Sequence, residues 1–92
     1  MKVTLNYMGQ LRSLTGKDSD QIEYSQGACL ADLITEASKK YDERFVNFVL
    51  DENGAIRPSL IIIIDGVSAD KDVAPNLSDG DTITLLTAIS GG

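Results

Sequence analysis

The chain predicts an α+β fold in which one helix lies across one mixed sheet of four to five strands. Three observations carry that expectation. Leu30, Leu33, Ile34, Ala37 and Tyr41 fall at i, i+3, i+4, i+7 and i+11, a single apolar stripe on an amphipathic helix. Apolar runs of strand length flank it, two before and two after. With 92 residues the chain reads as one domain, 1–92, near the lower end of what folds alone, so a lone helical stripe is most economically buried against one sheet.

Val3, Leu5 and Tyr7 alternate with Thr4, Asn6 and Met8, the period of a half-buried first strand. Gly9 to Asp18 is polar, carries Gly9 and Gly16, and reads as a loop. Gln21-Ile22-Glu23-Tyr24 alternates again and forms a hairpin with the first strand. The helix is expected from about Cys29 to Tyr41. Cys29 and Asp32 stand in the positions of a capping box, and Lys39 and Lys40 sit in the last turn, where they favour the helix dipole.

From Asp42 to Leu50 the apolar residues Phe45, Val46, Phe48, Val49 and Leu50 are too dense to assign by period. Asp51-Glu52-Asn53-Gly54 carries an Asn-Gly turn signature. Leu60 to Ile64 is uninterrupted by polar residues and reads as a strand buried on both faces. Asp65-Gly66 turns the chain, Val67 to Ser78 is an irregular connection, and Asp79-Gly80-Asp81 feeds a final strand, Thr82 to Leu86. Either the isoleucine run or the last strand is central. The first and last strands are expected side by side and parallel, because crossover connections bring sequence-distant strands together.

Composition excludes several function classes. A net charge of −6 argues against nucleic acid or an anionic membrane surface as partner. The chain has no histidine, which removes Ser-His and Cys-His nucleophile pairs, imidazole bases and His-ligated zinc. The single Cys29 makes no internal disulfide, the alternating N-terminus is unlike a signal peptide, and Leu60–Ile64 is too short to span a bilayer. A soluble, cytoplasmic protein is expected. Its small core leaves no room for a deep substrate cavity.

The most informative segment is the end, Thr87-Ala88-Ile89-Ser90-Gly91-Gly92, directly after a strand-like run. Two residues without side chains make a narrow, permissive terminus. Such an end threads a tight channel and presents its α-carboxylate to an active site in another protein. That carboxylate is the expected functional group, and residues from about Ser90 are expected to be mobile in the isolated protein.

The order of elements, Arg57-Pro58 before a buried strand, the Asp65-Gly66 turn, Leu77-x-Asp79-Gly80-Asp81 and the Gly91-Gly92 end together resemble the ubiquitin-like β-grasp sulfur carriers. The pattern most resembles the MoaD-type small subunit of molybdopterin synthase, over nearly the whole chain. The thiamine-pathway sulfur carrier is a second relative, shorter in the region of Tyr41 to Pro58. Thr87-Ala88 stands where the family often has prolines, and Cys29 where it commonly has a threonine cap.

The resemblance implies a non-catalytic carrier that binds no cofactor itself. An E1-like adenylating enzyme, using ATP and Mg²⁺, would activate the Gly92 carboxylate. A sulfur donor protein would then convert it to a thiocarboxylate, delivered to a molybdopterin synthase large subunit. Ser90, Gly91, Ile89, Leu86 and Arg57 are the expected partner contacts. Leu86 either docks on the activating enzyme or packs under a loop. Arg57 either steers toward a partner's acidic groups or serves its own surface. Cys29, with no histidine or second cysteine beside it, reads as an inert packed thiol. The aspartates of the turns (Asp51, Asp65, Asp79, Asp81) fit no calcium loop and read as turn residues. A protein modifier joined through Gly92 to lysines, a sulfur carrier for thiamine or tRNA, and a plain β-grasp interaction module remain as alternatives.

Overall fold

Strand pairing organises residues 1–87, those the computed structural model describes, into one five-stranded mixed sheet. The elements are β1 (Lys2–Tyr7), α1 (Gln10–Thr15), β2 (Ser19–Glu23), α2 (Leu30–Ser38), α3 (Glu43–Val49), β3 (Leu60–Ile64), β4 (Val67–Ser68) and β5 (Thr82–Thr87). The strand order is β2-β1-β5-β3-β4, with β5 in the centre. As expected, the first and last strands are adjacent and parallel, with Leu5 opposite Ile83 and Tyr7 opposite Leu85. The other pairs are antiparallel. Asp65 (φ 53°) and Gly66 (φ 78°) are consecutive left-handed residues, the geometry of a tight two-residue hairpin turn between β3 and β4.

One face of the sheet builds the core. Val3, Leu5, Tyr7, Ile22, Leu60, Ile62, Ile83 and Leu85 are buried there, together with Leu30, Leu33, Ile34 and Ala37 of α2 and Phe45 and Val49 of α3. Each fully covered Leu or Ile contributes about 1.5–3 kcal/mol of transfer free energy. Four of the five apolar positions expected on the main helix, Leu30, Leu33, Ile34 and Ala37, are its buried face; the fifth, Tyr41, lies past its end and is half-buried.

Six expectations are corrected. Val67 and Ser68, read as the start of an irregular connection, form β4 against Ile64 and Ile63. The segment Gly9 to Asp18 is not all loop, because Leu11 and Leu14, three apart, pack one side of α1 against the core. Gly9 and Gly16 bound this helix; Gly16 is its left-handed C-cap, its N–H donating to the Arg12 carbonyl at 2.9 Å. The main helix stops at Ser38, so Lys39 and Lys40 lie past its last turn. The second strand starts at Ser19, two residues early, which turns Asp20 inward. The isoleucine strand is buried on one face only: Leu60 and Ile62 are covered and Ile64, in phase with them, packs at the core's edge, whereas Ile61 and Ile63 are half-buried because no helix among the described residues overlies the outer face. Cys29 caps the start of α2 without a side-chain hydrogen bond and is exposed, not packed.

The ambiguous stretch after Tyr41 is α3, started by Asp42, whose carboxylate accepts from the Arg44 N–H at 3.0 Å. Other aspartates close turns as read. Asp51 accepts from the N–H groups of Asn53 and Ala55, Asp79 from Lys2 and Asp81 from Ser78, at 2.8–3.0 Å.

Candidate functional site

The site begins with strand alternation along β5. Ile83 and Leu85 turn inward and are fully buried, so Thr82, Thr84 and Leu86 must face outward. Antiparallel register sets Leu86 opposite Ile61 and Thr84 opposite Ile63. Ile61, Ile63 and Leu86 therefore share the uncovered outer face, each half-buried, as an apolar row beside the strand that leads into the tail. On the other flank, the Met8 N–H donates to the Leu85 carbonyl at 3.1 Å, and the Met8 side chain is 51% exposed. Apolar surface thus brackets the place where β5 finishes.

Leu86 lies outward as expected. Arg57 stands at the same end of the sheet. Its carbonyl accepts from the Leu60 N–H at 3.0 Å, and Leu60 pairs with Thr87. Its guanidinium Nε donates to the Asn47 carbonyl, its N–H donates to Val49 at 3.0 Å, and its carbonyl accepts from the Lys71 ammonium at 3.2 Å. Arg57 therefore ties α3 to the start of β3, and among the described residues it makes no ion pair. Ile89, Ser90, Gly91 and Gly92 lie outside the described residues, and so does the expected mobility from Ser90 onward.

Sequence reasoning missed two features at this end. The first is Ile61 and Ile63, assigned to a buried strand because periodicity alone cannot distinguish a covered face from an open one. The second is a polar cluster on the inner face. Asp20, 7% exposed, accepts from the Tyr7 hydroxyl at 2.9 Å, from the Tyr41 hydroxyl, and from the Lys17 ammonium at 3.1 Å, with the Lys40 ammonium 3.8 Å away. Tyr7, Tyr41 and Phe45 pack edge to face or tilted, with centroids 4.9–6.1 Å apart. Burial pushes the Asp20 carboxyl up, but hydrogen bonds from Tyr41, Tyr7 and Lys17 and the Lys40 charge outweigh it, so the group is held below the usual aspartate value. Burial, then the Asp20 partner, push Tyr41 up to about 12 and raise Tyr7 further. At neutral pH the cluster is one carboxylate with two neutral phenols. It locks the residues around α2 and α3 to β1 and β2. An aspartate in alternation with Ile22 and Tyr24 was the available signal.

Among the described residues no three His, Cys, Asp or Glu side chains converge as a metal-ligand set, and no helix is long and apolar enough to cross a membrane. This arrangement offers a surface and a lead-in strand.

The fold is that of the ubiquitin-like β-grasp proteins, an α+β sheet with its last strand central and an open outer face. SAMP1 from Haloferax volcanii has it, with TM-score 0.79 and 16% identity over 100% of both chains. So does CysO in the Amycolatopsis orientalis BexX/CysO complex, with TM-score 0.66 and 23% identity over 98% of this chain and 99% of that one. The chain belongs to the ThiS family, whose model matches residues 5–92, among the ubiquitin-like sulfur carriers and modifiers. A Pyrococcus furiosus protein provisionally assigned as molybdopterin converting factor, subunit 1, is similar at 30% identity and TM-score 0.72, covering 97% of this chain and 99% of that chain. No curated protein matches the chain. Small carriers of this type are generally non-catalytic.

Proposed function

We propose that this protein is a sulfur carrier whose Gly92 α-carboxylate is the working group, and that it serves as the non-catalytic small subunit of molybdopterin synthase. The observation that carries the reading is the match to the ThiS family through residue 92, supported by the 30% identity to the Pyrococcus furiosus protein. A carboxylate resists attack because its charge and resonance make the carbon a poor electrophile. In the proposed cycle an E1-like enzyme lets the Gly92 carboxylate attack the α-phosphate of Mg²⁺-bound ATP, forming an acyl-adenylate and releasing pyrophosphate. The terminal sulfur of a donor persulfide attacks the acyl carbon and AMP leaves. A second thiol then cleaves the acyl disulfide, is oxidised with the donor sulfur to a disulfide, and frees the thiocarboxylate. That soft nucleophile is carried to the large subunit, so reactive sulfur does not diffuse freely. The proposed place of action is the cytoplasm, where ATP for the activation step is supplied.

The outer row of Ile61, Ile63 and Leu86 is the docking surface for these partners, with Ile89 and Ser90 following it and Arg57 at its end. Gly91 leaves the channel free of any Cβ. The test is intact mass spectrometry with a cognate activating enzyme, ATP and Mg²⁺. The expected product is first an adenylate, then, with a sulfur source, a species heavier by the difference between one sulfur and one oxygen. Deleting Gly92 is expected to abolish both with the fold unchanged. Normal adenylation of the shortened chain overturns the reading, and lysine-linked conjugates without a thiocarboxylate favour a modifier.

A further inference from the structure

Away from β5, the β2 edge of the sheet carries a second surface. Strand β2 is an edge strand, paired only with β1. Its register alternates, and the flanking bonds reveal the phase. Tyr7 N–H donates to Asp18 at 2.8 Å and Tyr24 N–H to Met1 at 2.7 Å, in facing pairs six residues apart on β1. Asp20 and Ile22 therefore bond to β1, and the N–H and C=O groups of Ser19, Gln21 and Glu23 point off the sheet. Between that edge and α2 runs a groove of about 470 Å³. Ile22, Ala28 and Leu33 line it with apolar atoms, and Asp32 and Glu36, one turn apart on α2, stand on its helix side.

The charge of this groove selects its occupant. Among the described residues Lys40 is the one cation lining it and lies 3.8 Å from Asp20, Glu36 is paired with Lys39 at 3.2 Å on the exposed side of α2, and Asp32 makes no ion pair, so Asp32 is the principal acidic contact. A second copy of the chain is disfavoured, since pairing β2 with itself sets acidic strands of a −6 protein edge to edge. The geometry points to this groove as a docking site for an extended segment of a partner protein with alternating aliphatic residues flanked by lysine or arginine. The segment adds a sixth strand beside β2 through the free groups of Gln21 and Glu23. Aliphatic side chains settle over Ile22, Ala28 and Leu33, and flanking cations reach Asp32 and Glu36. The site is remote from the outer row beside β5 and is independent of the chemistry proposed for Gly92, so a partner engaged there leaves the tail free.

The test is an amide-resolved NMR titration of the full chain with the peptide KKVTVTVKK, with EEVTVTVEE as the control. At about 1 mM peptide the expected result is shifts at Ser19 to Glu23 and along α2, with slowed hydrogen exchange at the Gln21 and Glu23 amides. Reversing charge with Asp32→Lys and Glu36→Lys is expected to weaken binding about fivefold to tenfold. Gln21→Pro, which removes only an outward-facing donor, is expected to abolish it. A chain lacking Gly91 and Gly92 is expected to bind unchanged, which separates this outcome from that of the sulfur-carrier reading. Shifts at Ile61 and Leu86 instead, equal binding of the acidic peptide, or no shift at all overturn the inference. So does self-association that Gln21→Pro removes.

Discussion

The two faces of β5 differ by one residue step and do opposite work. Ile83 and Leu85 point under the helices and are completely covered; Thr84 and Leu86 point away and are half-covered. Strand β3 repeats the contrast with nearly identical side chains, Ile62 inward at 0% exposure and Ile61 outward beside Leu86. Side-chain chemistry therefore does not distinguish the faces. What distinguishes them is the presence of α2 and α3 on one side and, among the described residues, of no helix on the other. An apolar residue in the covered layer holds the fold, and the same residue in the open layer leaves area for a partner to bury.

The largest expected effect tests that division directly. Leu85→Ala should destabilise the protein by about 2–5 kcal/mol in urea titration, since it opens a cavity under the central strand. Its neighbour Leu86→Ala should cost under about 1 kcal/mol but lower kcat/KM for adenylation about tenfold. Equal stability losses at both positions would break the comparison.

An intermediate effect probes the buried carboxylate of the covered layer. Removing the carboxylate with Asp20→Ala strands two phenolic hydroxyls and should cost about 1–3 kcal/mol. The pH dependence has a definite sign on each side. Asp20 titrates lower in the folded chain than in the unfolded one, so its contribution is present above the ordinary aspartate value of 3.8 and is lost as pH falls through the folded value. Tyr41, pushed up from 10.0 to about 12, contributes fully below 10.0 and loses that contribution as pH rises toward about 12. A stability–pH curve of the Asp20→Ala variant should lack the acid shoulder and keep a smaller alkaline one, since burial still raises Tyr41 without its partner; an unchanged acid shoulder puts its origin elsewhere.

The smallest effect concerns the helix that makes the covered face covered. Cys29 holds a capping conformation (φ −81°, ψ 162°) but makes no capping bond. Cys29→Ser should therefore raise stability by about 0.5–1 kcal/mol, read from the denaturation midpoint. No gain would show that the α2 N-terminus needs no side-chain acceptor.

Legibility followed how local each signal was. The stripe from Leu30 to Ala37 and the alternation of Val3, Leu5 and Tyr7 are properties of neighbouring residues, and both elements and their inward faces were readable. The parallel adjacency of β1 and β5 followed from connection rules. α1 escaped because its two glycines resemble loop markers unless the Leu11–Leu14 spacing is weighed against them. α3 needed the Asp42 cap, which lies outside the apolar cluster it starts. The outer exposure of Ile61 and Ile63 and the inward turn of Asp20 depend on which layers stack over which strand. No window of sequence holds that information. For the site, the outward direction of Leu86 was legible for the same reason as the core. The roles of Arg57 as a brace and of Tyr7 and Tyr41 as partners of Asp20 arise from contacts 10–21 residues apart.

The placement of β5 at the centre of the sheet also bears on synthesis. Both neighbours of β5, β1 and β3, precede it in the sequence and wait for it. Until Thr82–Thr87 has left the ribosome, β1 and β3 have no common partner and the helices no finished floor. Folding is therefore a late event dominated by long-range contacts, slow for a protein of this size. A chain broken off before its final strand is left with open strand edges and bare apolar surface for chaperones and proteases to recognise.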